Sequence, residues 1–471
     1  MANRILVMPI PEGVKTDDHF AVQVRPLHAD AWTDVPLYAV RVDMHDVRQA
    51  AAAIFDFTGS VEVRITPKVS WIHSAVARPV AKGVQLKNTG RELSFTLDQP
   101  ADLMIEVNGE RFHCLHILAG TVEEAPADNV VYLDASRPGP HTAETRRLLP
   151  RLAAMPAEPT LVFGPGLHVI DEYLFPVPSG LRIYLAPGAV VVGGFVIDHA
   201  QDVRVYGHGV ILQESFHRYS SINGVRISHS HHVTIEGVTV IDPPHYTVYL
   251  GGSEDVTIRG LRSFSCEGWS DGIDMMSCRR IHVDGCFLRT SDDCIAVYGR
   301  RWEYNGDVRD ILVENCTLWA DVAHPTIIGT HGDYEHDGNL LEKITFRHID
   351  ILEHHEFQPG YLGCMTINVG DKNTARDILY EDIRVETITH GKLIDIQVKC
   401  NPDYNPAPGN AIENVTFRNV RCDCIPDVPS VVAGYDADRT VHGVCLENVT
   451  AGGKPLQLQI GEYATNIQSD A

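Results

Sequence analysis

The stretch Trp269–Tyr298, WSDGIDMMSCRRIHVDGCFLRTSDDCIAVY, sets a dense group of carboxylates among β-type apolar residues. Asp271 precedes Asp292 and Asp293 by 21 and 22 residues, and an alternating run at Ile281, Val283 and Gly285 lies between them. That spacing is about one coil of a parallel β-solenoid. Successive coils stack at the inter-strand distance of about 4.8 Å, so residues one coil apart become neighbours. The reading therefore gathers Asp271, Asp292 and Asp293 into one patch, which is taken as the active site.

Outward from this stretch the same pattern repeats. DVRVYGHGV, HVTIEGVTV, DVTIRGLRS, RIHVDGCFL, DILVENCTL, KITFRHIDI, DILYEDIRV, NVTFRNVRC and GVCLENVTA share one template: apolar, any, apolar, two polar or Gly, apolar. Counted from Val233 through Val256, Ile281, Ile311, Ile344, Ile378 and Val415 to Val444, the intervals are 23, 25, 30, 33, 34, 37 and 29 residues. A fixed template at periods above about 20 marks a solenoid, propeller or array. One short strand per template, with loops of variable length, fits a right-handed parallel β-helix better than a propeller blade, which needs four strands. The longer intervals after Ile281 place long loops along one flank, where a binding cleft is expected.

Upstream, residues 1–125 show period-2 runs broken by turn residues, as in FAVQVRPL, PLYAVRVDM, SVEVRITP and ELSFTLDQP. Asn108-Gly109 inside ADLMIEVNGERFHCLHIL is a hairpin signal. An antiparallel β-sandwich is predicted here, read as a packing domain in preference to a sugar-binding module. Residues 126–160, with Pro126, Pro138, Pro140, Pro150, Pro156 and Pro159 around a short helical stretch near Thr142–Leu152, are read as a linker. Residues 161–471 are read as the β-helix. The chain is thus expected to be all-β, a right-handed parallel β-helix preceded by an antiparallel β-sandwich.

A net charge of −23 argues against nucleic acid or an anionic membrane as the main partner. The start, MANRILVMPIPEG, lacks the features of a secretory signal, so a cytoplasmic setting is expected for the chain as given, and a secreted one if a signal has been removed. The 11 cysteines include no CxxC pair. Cys286 and Cys316 fall where other coils carry Val or Ile, so buried free thiols are expected. The sequence leaves the oligomeric state open.

Glycosidic hydrolysis needs a proton for the leaving oxygen and a carboxylate to activate water or attack the sugar. Close carboxylates also keep one of their number protonated near neutral pH. Asp271, Asp292 and Asp293 meet both needs. A lone Asp in such a fold is more often a turn residue, and Asp274 and Asp284 are read that way. Asp292 and Asp293, being consecutive, would face opposite ways in a regular strand, so both reach the cleft only at a bend. Trp269, Tyr298, Trp302 and Tyr304 are candidate sugar-stacking surfaces. His324 lies about one coil beyond the Asp pair, within reach of a carboxylate or the substrate. In the loop AHPTIIGTHGDYEHDGN, residues 323–339, His331, Asp333 and His336 match no specific metal motif, and no metal or cofactor is expected. A solvated loop is the plainer reading of His331 and His336, though His331 is kept as a substrate-binding candidate. His354 and His355 are read as loop surface.

At these residues the chain resembles the β-helical polysaccharide hydrolases of glycoside hydrolase families 28 and 49, the polygalacturonases and dextranases. SDGID at 270–274 and SDDCIAV at 291–297 are similar to family 28 segments, and AHPTIIGTHG at 323–332 aligns His324 with the family histidine. DPPHYTVYL at 242–250, YLAPGAVVVGG at 184–194 and the order of sandwich before β-helix look closer to family 49. The resemblance implies an inverting hydrolase with Asp292 as general acid and Asp271 with Asp293 activating water. The family 28 Arg-Ile-Lys triplet that grips a uronate reads Thr366-Ile367-Asn368 here, which turns the expectation to a neutral poly- or oligosaccharide, dextran-like α-glucan first. Arg300 and Arg301 offer an alternative grip on an acidic sugar. A uronic-polymer hydrolase, a β-helical lyase and a non-catalytic carbohydrate-binding β-helix are the rival readings.

Overall fold

The computed structural model describes residues 3–135, 141–143, 145–155 and 158–470; Pro138, Pro140 and Pro156 of the expected linker fall outside them. Two sheets face each other at the N-terminus. One runs Thr33–Val35, Phe20–Pro26, Val61–Pro67, Leu93–Leu97 and Lys87–Asn88, all antiparallel. The other is built around Arg48–Thr58 and Glu110–Thr121, which pair in parallel, a departure within an otherwise antiparallel sandwich. Asn108 and Gly109 form the two-residue hairpin loop, with φ of 57° and 80°, between Val107 and its partner Glu110. The inner faces carry the alternating apolar residues, among them Val22, Val24, Val63, Ile65, Leu103 and Ile117.

A single sheet of 32 strands, wound in sequence order, makes up the parallel β-helix. Each template position pairs with its equivalent one coil on: Val203, Val233, Val256, Ile281, Ile311, Ile344, Ile378, Val415 and Val444 form one unbroken column, which continues to Ile467. The corners explain the polar half of the template. Asp202, His232, Asp255, Arg280, Asp310, Lys343, Asp377 and Asn414, each just before the first apolar residue, have φ between 54° and 59°. Five residues on from His232 through Asn414, Gly237, Gly260, Gly285, Asn315, His348, Asp382 and Asn419 have φ between 53° and 76°. The left-handed conformation at both ends of each short strand favours Gly, Asn and Asp, which hold most of these corners, while His232, Arg280, Lys343 and His348 adopt it as well. Corner side chains also bridge coils, as from Asn315 to Asp284 (2.9 Å) and from Asn419 to Asp382 (3.0 Å).

Val130–Ala135, inside the stretch expected to be a linker, pairs in parallel with Thr160–Pro176 and so belongs to the β-helix sheet. The helix Thr145–Ala153 buries Leu152 and packs Leu148 and Leu149 against the solenoid core. The described cysteines are free, and Cys286 and Cys316 sit in that core. A second apolar layer, with Tyr38, Val40, Val42 and Leu118 of the sandwich against Leu212, Ile241, Phe264, Phe287 and Trp319, seats the sandwich along one side of the solenoid. That contact brings an N-terminal turn to the flank where the long loops lie.

Candidate active site

Strand Phe287–Thr290 ends in a bend at Ser291–Cys294 before strand Ile295–Tyr298 begins. Asp292 and Asp293 occupy that bend, so the alternation of a regular strand does not separate them. Thr290 Oγ1 donates to the Asp292 carbonyl (2.6 Å) and the Asp293 N–H donates to Asp292 Oδ1 (3.0 Å), which fixes the bend. One coil earlier, Gly272 N–H donates to the Asp293 carbonyl (2.9 Å), stacking Asp271 on Asp293. Coil stacking needs a glycine at this point, because a Cβ at position 272 would lie 2.4 Å from the Cys294 carbonyl oxygen. One carboxylate oxygen each from Asp271, Asp292 and Asp293 falls within 4.8 Å of the others.

The three carboxylates stand in different surroundings. Asp293 is the most heavily bonded: Oδ1 meets His324 Nδ1 (2.6 Å) and accepts the His324 N–H (3.0 Å), while Oδ2 accepts the hydroxyls of Tyr298 (3.1 Å) and Tyr361 (3.3 Å). Asp292 is held through Oδ2 by the Trp269 N–H (2.8 Å). Asp271 has a buried oxygen, Oδ1, that accepts no hydrogen bond. Asp274, one residue past Ile273 on the outer face of strand Ile273–Met276, is completely buried. Neither of its carboxylate oxygens meets a donor at good geometry, although the Tyr246 hydroxyl stands beside it. Asp274 is thus a fourth carboxylate of the cluster, where the sequence suggests only a turn residue.

Burial, reinforced by the charge of Asp293, raises Asp292 to about 7. Asp271 is pushed well above the ordinary carboxylate range by burial and then by Asp274, Asp292 and Asp293. Asp274 moves the same way, through burial and then Asp293. Like charges this close do not all ionise, so protons are shared across the cluster. The arrangement can therefore hold an acid and a base together at neutral pH.

A cleft of about 700 Å³ opens over the cluster. Trp269, Tyr298 and His331 line it together with the three carboxylates. His324 is fully buried beneath the cleft and reaches it only through Asp293. Arg300 turns away: it pairs with Asp333 (3.0 Å) and Glu335 (2.7 Å) on the outer side of the loop. Its neighbour Arg301, which the hairpin Arg300–Arg301 with Tyr304–Asn305 directs to the opposite face, lines the cleft, as does Arg218. Arg301 Nη1 donates to His331 Nε2 (3.0 Å), and burial and Arg301 lower His331 to about 3, so the imidazole stays neutral. The Arg301 Nε–H is buried without a partner. Trp302 and Tyr304 do not line the cleft: Trp302 packs against Tyr246 and Tyr249, each with ring centres 5.4 Å away, and Tyr304 is buried with its hydroxyl on Ser228 (2.6 Å). His354 is buried and His355 lines the cleft, so neither is loop surface. His331 likewise belongs to the cleft wall and not to a solvated loop, whereas His336 is exposed and bonded to Asp333 (2.8 Å).

The sequence offers Arg301 with Arg300 as an alternative grip; it does not point to Arg218, to Glu356 and Tyr361 of the long loop, to His355 as a cleft residue, or to Met44 and His45 of the sandwich. The interval between Ile344 and Ile378 signalled the long loop that carries His355–Tyr361; nothing local signalled Met44 and His45.

The family described as Glycosyl hydrolases family 28 matches residues 193–463, more than half of the chain. A polygalacturonase of Juniperus ashei is 26% identical over 252 residues, which cover 52% of this chain and 45% of that protein. A dextranase of Arthrobacter sp. strain CB-8 is 24% identical over 200 residues, covering 36% of this chain and 30% of that protein. The chain spans about half or less of the length of these curated relatives. Among solved structures, Dex49A from Penicillium minioluteum superposes with a TM-score of 0.63 at 13% identity, covering 98% of this chain and 96% of that one, a likeness of fold alone. Because the family match takes in the whole carboxylate cluster and the cleft loops from Arg218 to Tyr404, the chain belongs to glycosyl hydrolases family 28.

Proposed function

We propose that the protein hydrolyses α-glycosidic bonds of a neutral poly- or oligosaccharide with inversion, a dextran-like α-glucan being the first choice. The observation that carries this reading is the meeting of Asp271, Asp292 and Asp293, with one oxygen each inside 4.8 Å, under a cleft lined by Trp269, Tyr246, Tyr298 and Tyr404. Asp292, raised to about 7, holds the proton that passes to the leaving glycosidic oxygen. A water between Asp271 and Asp293 gives one proton to that pair as its oxygen bonds to the anomeric carbon and the bond to the leaving oxygen breaks. Two hydrogen bonds of about 2.8 Å span such a gap. Asp293, bonded by His324, Tyr298 and Tyr361, is the fixed member of that pair. Inversion is supported by membership of family 28.

The neutral-sugar choice draws on Thr366-Ile367-Asn368, none of which lines the cleft or carries a positive charge. The second reading, a uronic polysaccharide, is favoured by Arg301 and Arg218 in the lining. The polygalacturonase and dextranase relatives leave both open. A panel of isomalto-oligosaccharides and oligogalacturonides, assayed for new reducing ends, separates them. Cleavage of the neutral members alone supports the first reading and cleavage of the uronic members alone the second. An ultraviolet-absorbing unsaturated product would point to a lyase instead.

A further inference from the structure

The sandwich turn between strands Leu37–Val42 and Arg48–Thr58 carries Asp43, Met44, His45 and Asp46. It is held from three sides. Within the turn, Asp43 adopts a φ of 59°, its Oδ1 accepts the His45 N–H (3.1 Å) and its Oδ2 pairs with Arg48 (2.7 Å). Toward the solenoid, the Met44 N–H donates to Ser291 Oγ (3.1 Å), the residue immediately before Asp292. The Asp43 N–H donates to Asp321 Oδ2 (3.3 Å). Asp321 is in turn clamped by Arg289 through Nε (3.1 Å) and Nη2 (3.2 Å), and both side chains are fully buried.

With its backbone so fixed, the turn leaves the His45 side chain exposed at the cleft, and Met44 lines the same space as Asp292 and Asp293. A turn that only packed one domain on another would bury these side chains. One that presents them, already immobilised, above reacting groups offers contacts that cost little ordering on binding. His355, at the end of strand Asp350–His355, lines the same cleft.

We propose that Met44 and His45 form a substrate-contacting wall: the thioether packs on the C–H face of a sugar unit, the imidazole bonds its hydroxyls, and the sandwich thereby helps set specificity. This rests on the carbohydrate reading of the cleft given above. The test uses the full chain with Asp292→Asn, so that ligand stays intact. Calorimetric titration with isomaltoheptaose and with heptagalacturonate compares this protein with one also carrying Met44→Ala and His45→Ala. The expected result is a Kd raised about tenfold for whichever probe binds, at an unchanged thermal midpoint. Equal Kd values, no binding of either probe, or weaker binding accompanied by a lowered midpoint would each overturn the wall. Weakening as expected, in a protein whose wild type releases no sugar, keeps the wall and removes hydrolysis.

Discussion

At the residue scale, Asp292 makes the clearest demands. With Asp292 as the proposed general acid, its change to Asn should lower kcat by about 10²–10⁴-fold with KM little altered, measured by initial rates of reducing-end release. Its carboxyl is held near 7 in the folded chain against 3.8 when unfolded. Between those values the native state keeps a proton that the unfolded state releases, so the stability owed to this group is full below pH 4 and is lost as pH rises through 7. Asp292→Asn should therefore raise the thermal midpoint at pH 8 and leave it unchanged near pH 4, which scanning calorimetry at the two pH values checks. The same titration predicts that wild-type kcat/KM falls as pH rises past about 7, because the acid is then deprotonated. Arg301, its Nε–H unpartnered in the cleft, should cost affinity when changed to Gln: KM rises about tenfold with kcat nearly kept. The sequence shows two adjacent arginines and cannot tell which faces the cleft, since the hairpin at 300–305 that decides it is short and rests on packing around Trp302.

At the element scale, the repeat was legible because one column of apolar residues and its two left-handed corners recur in every coil. Asn419 shows the cost of a corner: with φ of 53° and hydrogen bonds to Asp382 and Asn448 of 3.0 Å each, its replacement by Ala should lose about 1–2 kcal/mol. Replacement by Gly should lose less, read from urea midpoints of the two variants. Gly272→Ala tests coil stacking where it matters for chemistry, since the new methyl meets a backbone carbonyl that has no freedom to yield. About 1–3 kcal/mol of stability should go, and activity should fall further than stability as Asp271 shifts relative to Asp293. Strand alternation would separate residues 292 and 293, and the pair lies in the bend that the sequence required of it, with bonds made by Thr290 and by Asp292 itself. His354 and His355 were misjudged for a related reason: they end a strand, Asp350–His355, that continues into the cleft loop.

At the scale of the whole molecule, the sandwich and the solenoid are joined by buried charge as well as apolar packing. Arg262 meets Asp102 (2.8 Å), Arg41 meets Asp242 (3.0 Å), and the buried Arg289 donates through Nη1 to Cys114 Sγ (3.2 Å). Arg289→Met, which leaves Asp321 buried and unpaired, should cost about 3–5 kcal/mol, measured by denaturant unfolding. These partners stand more than a hundred residues apart in the chain, so no local pattern announces them, and the sandwich looked like a covering domain without a share in the cleft. We propose that Asp271, Asp292 and Asp293 together hydrolyse a glycosidic bond. The most direct test follows the anomeric protons by NMR as wild type and Asp292→Asn meet the oligosaccharide that the panel identifies. Wild type alone should release sugar, and the first-formed anomer should be inverted. Equal release by both proteins, or a retained anomer from wild type, would contradict the proposal.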